Sequence, residues 1–109
     1  MKFLMGIIAA VSILLSSHAS AAGKVDMAAG QALAEKSNCI ICHKSEGKLV
    51  GPGFKEISKK YKGDKKAEDM LIAKVSNGGA GVWGTMQMPP NTAVKPADIK
   101  SLVQWVLAN

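Results

Sequence analysis

With 109 residues, 48% of them hydrophobic, the chain is long enough for one small domain and no more. Its formal net charge of +6 comes from 14 lysines against 8 acidic residues, without an arginine. That basic balance lacks an arginine-rich or aromatic-interleaved patch, which argues against a nucleic-acid ligand and in favour of an acidic protein partner.

The chain opens with Lys2, an apolar run over 3–15, and then Ser16-Ser17-His18-Ala19-Ser20-Ala21-Ala22-Gly23. Charge, apolar stretch and small residues in this order are the parts of a cleaved secretory leader, and Ala19-Ser20-Ala21 fits the A-x-A cleavage rule. The run is shorter than the roughly 18–20 apolar residues of a membrane-crossing helix and lacks a charged stop-transfer flank, so no stable membrane anchor is expected. No cysteine precedes Cys39, which argues against a lipid-anchored start. The predicted division is a leader over 1–22 and one domain over 23–109, exported to the periplasm. Without Lys2 the domain has 13 lysines against 8 acids, a charge of +5. Apolar side chains alone would give so short a domain a thin core.

The first predicted helix runs from residue 27 to about 37, where Ala28, Ala29, Ala32, Leu33 and Ala34 mix with Gln31, Glu35 and Lys36. Gly30 and the alanines would let another helix approach closely. This helix leads into Cys39-Ile40-Ile41-Cys42-His43, the C-x-x-C-H pattern of haem attachment. Two thiols at this spacing can add to the two vinyl groups of one porphyrin, and the adjoining imidazole can then bind iron from below the ring. A disulfide, a thioredoxin-like redox pair or a zinc site compete with that reading. A thioredoxin-like protein needs a β-α-β frame, for which no strand pattern exists. A zinc site needs two further Cys or His ligands, and His43 is the only histidine of the predicted domain.

Residues 44–53 read as a loop, marked by Gly47, Gly51, Pro52 and Gly53. A short second helix follows over 54–61, with Phe54, Ile57 and Tyr61 on one face and Lys55, Glu56, Lys59 and Lys60 on the other. A third helix over 67–76 carries Met70, Leu71, Ala73 and Val75 and stops at Asn77-Gly78-Gly79. Residues 78–92 contain Gly78, Gly79, Gly81, Gly84, Pro89 and Pro90 and cannot be regular helix or central strand. A loop that long in so small a domain needs a function. The last helix starts at Pro96, carries Asp98 in its first turn, and repeats apolar residues at Ile99, Leu102, Val103, Val106 and Leu107, with Trp105 flanking the stripe. The fold class is therefore all-α.

If His43 is one axial ligand, the lack of another histidine in the domain leaves methionine, lysine, water or nothing for the other. The Gly-rich loop holds Met86 and Met88, and a thioether there would raise the reduction potential of the iron relative to a nitrogen ligand. Met88 is the stronger candidate, since Pro89-Pro90 stiffens the loop beside it.

Taken together, Cys39 to His43, Val50-Gly51-Pro52, Asn77-Gly78, Gly81-Val82-Trp83-Gly84, Met88-Pro89-Pro90-Asn91 and Gln104-Trp105-Val106-Leu107 resemble the small class I cytochromes c of the bacterial periplasm, monohaem electron carriers. The resemblance covers nearly all of the predicted domain. It implies about four helices wrapped around one covalent haem c, with the N- and C-terminal helices packed together, in a monomer. It further implies thioether links at Cys39 and Cys42, His43 and Met88 as axial ligands to iron, and a Pro52 carbonyl accepting a hydrogen bond from the His43 ring. By the same resemblance Trp83 and Lys74 contact the haem propionates and the Asn91 amide approaches the Met88 sulfur. The chain departs from the family pattern in Thr85-Met86-Gln87-Met88, where related sequences have proline or a branched apolar residue before the ligand methionine.

With both axial positions filled by protein, no substrate can reach the iron, and the expected function is one-electron transfer through an exposed ring edge. A haem enzyme or gas sensor with an open sixth position is the alternative, although no distal histidine or arginine is present to act on peroxide. Family analogy suggests a terminal oxidase, a nitrite reductase or a cytochrome c peroxidase as partner. Lysines 48, 55, 59, 60, 62, 65 and 66 are candidates for steering it, if they ring the haem edge and are not merely a solvated face.

Overall fold

The computed structural model describes residues 24–109; the predicted leader, 1–22, lies outside them. Four helices follow in chain order: α1 (Met27–Lys36), α2 (Phe54–Tyr61), α3 (Ala67–Asn77) and α4 (Pro96–Leu107). A 3-10 turn at Cys39–Ile41 separates α1 from α2. Among the described residues there is no β-strand, only an isolated antiparallel bridge between Gly79 and Met88. The all-α expectation holds, and no described helix is long and apolar enough to cross a membrane.

Local chemistry sets the helix ends. Asp26 caps α1, its Oδ1 accepting from the Ala29 N–H at 3.0 Å, and Lys36 complements the dipole in the last turn. Asn38 follows at φ 61°, a left-handed conformation that asparagine tolerates, and this reversal swings the chain into the 3-10 turn. Pro96 opens α4, where its missing N–H costs nothing. The observed helices match the predicted ones to within a residue, α3 running through Asn77.

The C-terminal helix organises the packing, since α1, α2 and α3 all lie against it. Its buried face is Ile99, Leu102, Val103 and Trp105. Trp105, which the apolar stripe had placed at the flank, is instead central at 2% exposed. The reason lies on α1: a Cβ at Gly30 would overlap the Cγ and Cδ1 of Trp105, so the absent side chain is the space the indole fills. Burying a tryptophan removes about 150–250 Å² from water, worth roughly 4–6 kcal/mol at about 25 cal/mol per Å². On its other side Trp105 meets Phe54 edge-on, with ring centroids 4.8 Å apart. Ala34, Phe54, Leu102 and Trp105 form one buried cluster joining α1, α2 and α4.

Glu56 closes the loop before α2. Both its carboxylate oxygens accept from the Gly47 N–H at 3.1 Å, and these bonds hold its carboxyl below the usual range, so the closing group is ionised at neutral pH. The Phe54 and Lys55 N–H groups donate to Lys44 and Ser45 carbonyls, which tie the start of α2 back to the chain just beyond His43.

Gly30→Ala separates intrinsic helix propensity from packing. Alanine is the better helix former by about 1 kcal/mol, whereas overpacking costs about 1–3 kcal/mol. Denaturant unfolding is expected to show a net loss of stability; a gain would mean that α1 and α4 are not locked by the glycine–indole contact.

Candidate functional site

A cavity of about 720 Å³ opens between the 3-10 turn, α3, α4 and the long loop, within the range of about 300–1,000 Å³ usual for small-molecule and cofactor sites. Cys39, Cys42, His43, Pro52, Lys74, Trp83, Met88 and Asn91 all line it. Residues more than fifty positions apart are thus brought to one space, whose apolar wall includes Leu33, Ile57, Leu71, Val75 and Leu102.

The 3-10 turn sorts the pentapeptide into two faces. Cys42 N–H and His43 N–H both donate to the Cys39 carbonyl, at 3.3 and 3.0 Å. This winding turns Cys39, Cys42 and His43 to the cavity, which Ile40 and Ile41 do not line; Ile41 is 66% exposed. The two thiols are not joined in a disulfide. Burial pushes the Cys39 thiol up, against a weaker opposing pull from its own backbone N–H. A raised thiol holds less of the nucleophilic thiolate form. The described residues also lack the strands of a thioredoxin-like frame, and no three His, Cys, Asp or Glu side chains gather there as metal ligands.

His43 is fixed from two sides. Its Nδ1 lies 2.7 Å from the Pro52 carbonyl oxygen, which can only accept, so Nδ1 carries the proton. In the neutral ring Nε2 then keeps its lone pair, and it has no hydrogen-bond partner among the described residues. Phe54 stacks against the imidazole, with centroids 5.7 Å apart and planes at 27°. The carbonyl itself is held because Gly51 N–H and Val50 N–H both donate to the Cys42 carbonyl, at 2.8 and 3.2 Å. Gly51 passes so near the ring that a Cβ there would stand 2.6 Å from His43 Cε1.

Met88 faces this arrangement from the long loop. It exchanges two backbone hydrogen bonds with Gly79: Met88 N–H to the Gly79 carbonyl at 2.8 Å, and Gly79 N–H to the Met88 carbonyl at 3.0 Å. Gly78 turns the chain out of α3 at φ 73°, and a Cβ there would meet the Met88 carbonyl oxygen at 2.5 Å. Pro89-Pro90 is therefore only part of what holds Met88. Met86 also lines the cavity but is 65% exposed, with no comparable anchor.

Asn91 braces the far end of the loop. Its N–H donates to the Val75 carbonyl at 3.0 Å, and its Oδ1 accepts from Ala93 and Val94 N–H groups at 3.2 and 3.1 Å. With the oxygen so used, the Asn91 amide nitrogen is left as a donor on the cavity wall. Lys74 lies over Gly79, where a Cβ would meet its Nζ at 2.5 Å, and makes no ion pair among the described residues. Trp83 is 40% exposed, with the Lys60 ammonium 5.6 Å from its ring centroid. Lysines 48, 55, 59, 60, 62, 65 and 66 are exposed and none lines the cavity itself, although Lys60 reaches Trp83 on its wall; Lys36, Lys74 and Lys95 do line it. Apart from Lys48, in the loop before α2, these lysines lie on α2 and the α2–α3 connection.

Sequence reasoning missed Gly51 as a contact of the ring, Phe54 as its stacking partner and Glu56 as the closing group of the loop. Glu56 carried a signal, since it stands at the third position of α2, where an acid reaches back to free backbone N–H groups.

The donor set suits a covalently attached haem: two thiols on one edge of an apolar cavity, an imidazole with Nε2 available, a thioether on the opposing loop, and Lys74 and Trp83 as possible partners for acidic ring substituents. Comparison with known proteins agrees. Residues 27–109 match the cytochrome c family. The chain is 53% identical over 75 residues to cytochrome c-551 of Allochromatium vinosum, covering 69% of this chain and 80% of that protein. It is 41% identical over 103 residues to cytochrome c-552 of Nitrosomonas europaea, covering 94% and 92%. The crystal structure of wild-type Nitrosomonas europaea cytochrome c552 superposes with a TM-score of 0.68 at 47% identity, over 71% of this chain and 95% of that one.

Gly51→Ala tests the hold on His43, because the backbone at Gly51 is open to any residue and only the ring stands in the way. The substitution is expected to displace the imidazole from the Pro52 carbonyl and speed exchange of its Nδ1 proton, read by NMR. An unchanged exchange rate would show that the close approach does not constrain the ring.

Proposed function

The chain belongs to the cytochrome c family, among the small class I electron carriers that hold haem c covalently, and from that premise we propose a periplasmic shuttle whose iron is ligated by His43 and Met88. Haem c supplies an iron that cycles between Fe(III) and Fe(II). Cys39 and Cys42 form the thioethers. His43 offers Nε2 to the iron, its orientation and basicity set by the Pro52 carbonyl, as partners behind a metal ligand do. Met88 is the other axial ligand, and its two-way pairing with Gly79 is the observation that carries this assignment. A residue whose N–H and carbonyl are both bonded resists displacement, which limits the reorganisation that accompanies electron transfer.

Lys74 and Trp83 bind the propionates, and the Asn91 amide donates toward the Met88 sulfur. With two protein ligands the iron has no position for substrate, so the protein carries electrons and is not an enzyme. The leader over 1–22 is cleaved on export and leaves the domain over 23–109 as a monomer without a membrane anchor. A terminal oxidase, a nitrite reductase or a cytochrome c peroxidase with an acidic docking surface fits the charge. Lys36 and Lys95, both exposed on the cavity wall, are placed to steer such a partner.

The optical spectrum tests the ligand set. A near-infrared sulfur-to-iron band in the oxidised protein, with no rapid carbon monoxide uptake after reduction, is expected; a haem spectrum lacking the band, with fast uptake, would assign an open-site enzyme or sensor instead. Steering predicts that the electron-transfer rate to a partner falls steeply as ionic strength shortens the screening length from about 30 Å at 0.01 M to about 10 Å at 0.1 M. A rate indifferent to salt would remove the electrostatic contribution.

A further inference from the structure

We propose that Met86 is a second thioether ligand for the iron, taking the axial position when Met88 leaves it. The inference rests on the His43 and Met88 reading above. Met86 and Met88 stand two residues apart in the long loop, and both line the cavity, as does Gln87 between them.

The two methionines differ in how they are held. Met88 is pinned to Gly79, whereas Thr85, Met86 and Gln87 make no backbone hydrogen bond among the described residues. The segment is fixed only at its ends, by that pair and by the Gly81 N–H bond to the Gly84 carbonyl at 2.8 Å. A Cβ at Gly81 or Gly84 would meet nothing within 4 Å, and both glycines sit at positive φ, 105° and 117°. Glycine at these two points gives the backbone freedom to swing without collision. Two residues of extended chain span about 6.6 Å, a slip that such hinges and the three rotatable bonds of methionine can share.

Charge favours Met86 over the other donors of the cavity. Lys36, Lys74 and Lys95 also line it, but an ammonium must lose its proton before it can ligate. A thioether needs no deprotonation. It also keeps the iron in the sulfur-ligated state that Met88 provides, so the carrier retains its character through the exchange.

The test compares wild-type holoprotein with Met86→Ala, Met88→Ala and the double variant by near-infrared absorption and carbon monoxide uptake. Met88→Leu, apolar and of similar size, replaces Met88→Ala if that variant does not accumulate with haem attached. Met86→Ala is expected to keep the wild-type band. The Met88 variant is expected to keep a sulfur-to-iron band, shifted in wavelength, and to take up carbon monoxide more slowly than the double variant, which loses the band. Loss of the band in the Met88 variant, whether a lysine or nothing replaces the thioether, overturns this proposal and leaves the Met88 assignment standing. A band lost in Met86→Ala but kept without Met88 overturns both, since Met86 would then be the ordinary ligand.

Discussion

The hydrogen bond from His43 Nδ1 to the Pro52 carbonyl is the constraint on which the site depends. It decides which ring nitrogen carries the proton and therefore which one is available to a metal. The bond in turn rests on the packing behind it. Gly30 admits Trp105, Trp105 meets Phe54 edge-on, and Phe54 stacks on the imidazole. The helix–helix core and His43 are thus joined by one continuous chain of contacts. Such continuity is what a close-packed interior of this size imposes.

The two sides of the cavity are built by different means. The His43 side is a short-range knot, in which the loop over 44–53 folds back on the pentapeptide through the Cys42 carbonyl and is closed by Glu56. The Met88 side is a long glycine-rich loop with few anchors, held at Gly79 and again where Asn91 meets Val75. An electron carrier has use for the first kind of stiffness on both sides of its cofactor. Here Met88 gains it locally, at one residue pair, while the adjoining segment through Met86 makes no backbone hydrogen bond among the described residues.

Much of this was legible in the sequence because its signals are local. Gly and Pro punctuate the loops, Pro96 starts α4, and the 3.6-residue period marks α2 and α4, so the helices appeared where expected. The haem-attachment pentapeptide announced its own chemistry. What could not be read depended on partners distant in the chain. Trp105 looked peripheral because its place in the core is created by a glycine on another helix. Gly51 looked like an ordinary loop residue, although its missing side chain is what lets the backbone pass the imidazole. The lysine run is conspicuous in the sequence, whereas the lysines that line the cavity, Lys36, Lys74 and Lys95, are scattered along the chain and are brought together only by the fold. The prolines after Met88 are visible in the sequence, while its pairing with Gly79 is a tertiary contact across the loop.

Nitrogen NMR of the imidazole in the reduced, diamagnetic holoprotein measures directly whether His43 is fixed through Nδ1. A slowly exchanging proton on Nδ1 of His43, coupled through the hydrogen bond to the Pro52 carbonyl, and an Nε2 without a proton are expected. A proton found on Nε2, or an Nδ1 open to rapid exchange with water, would contradict it.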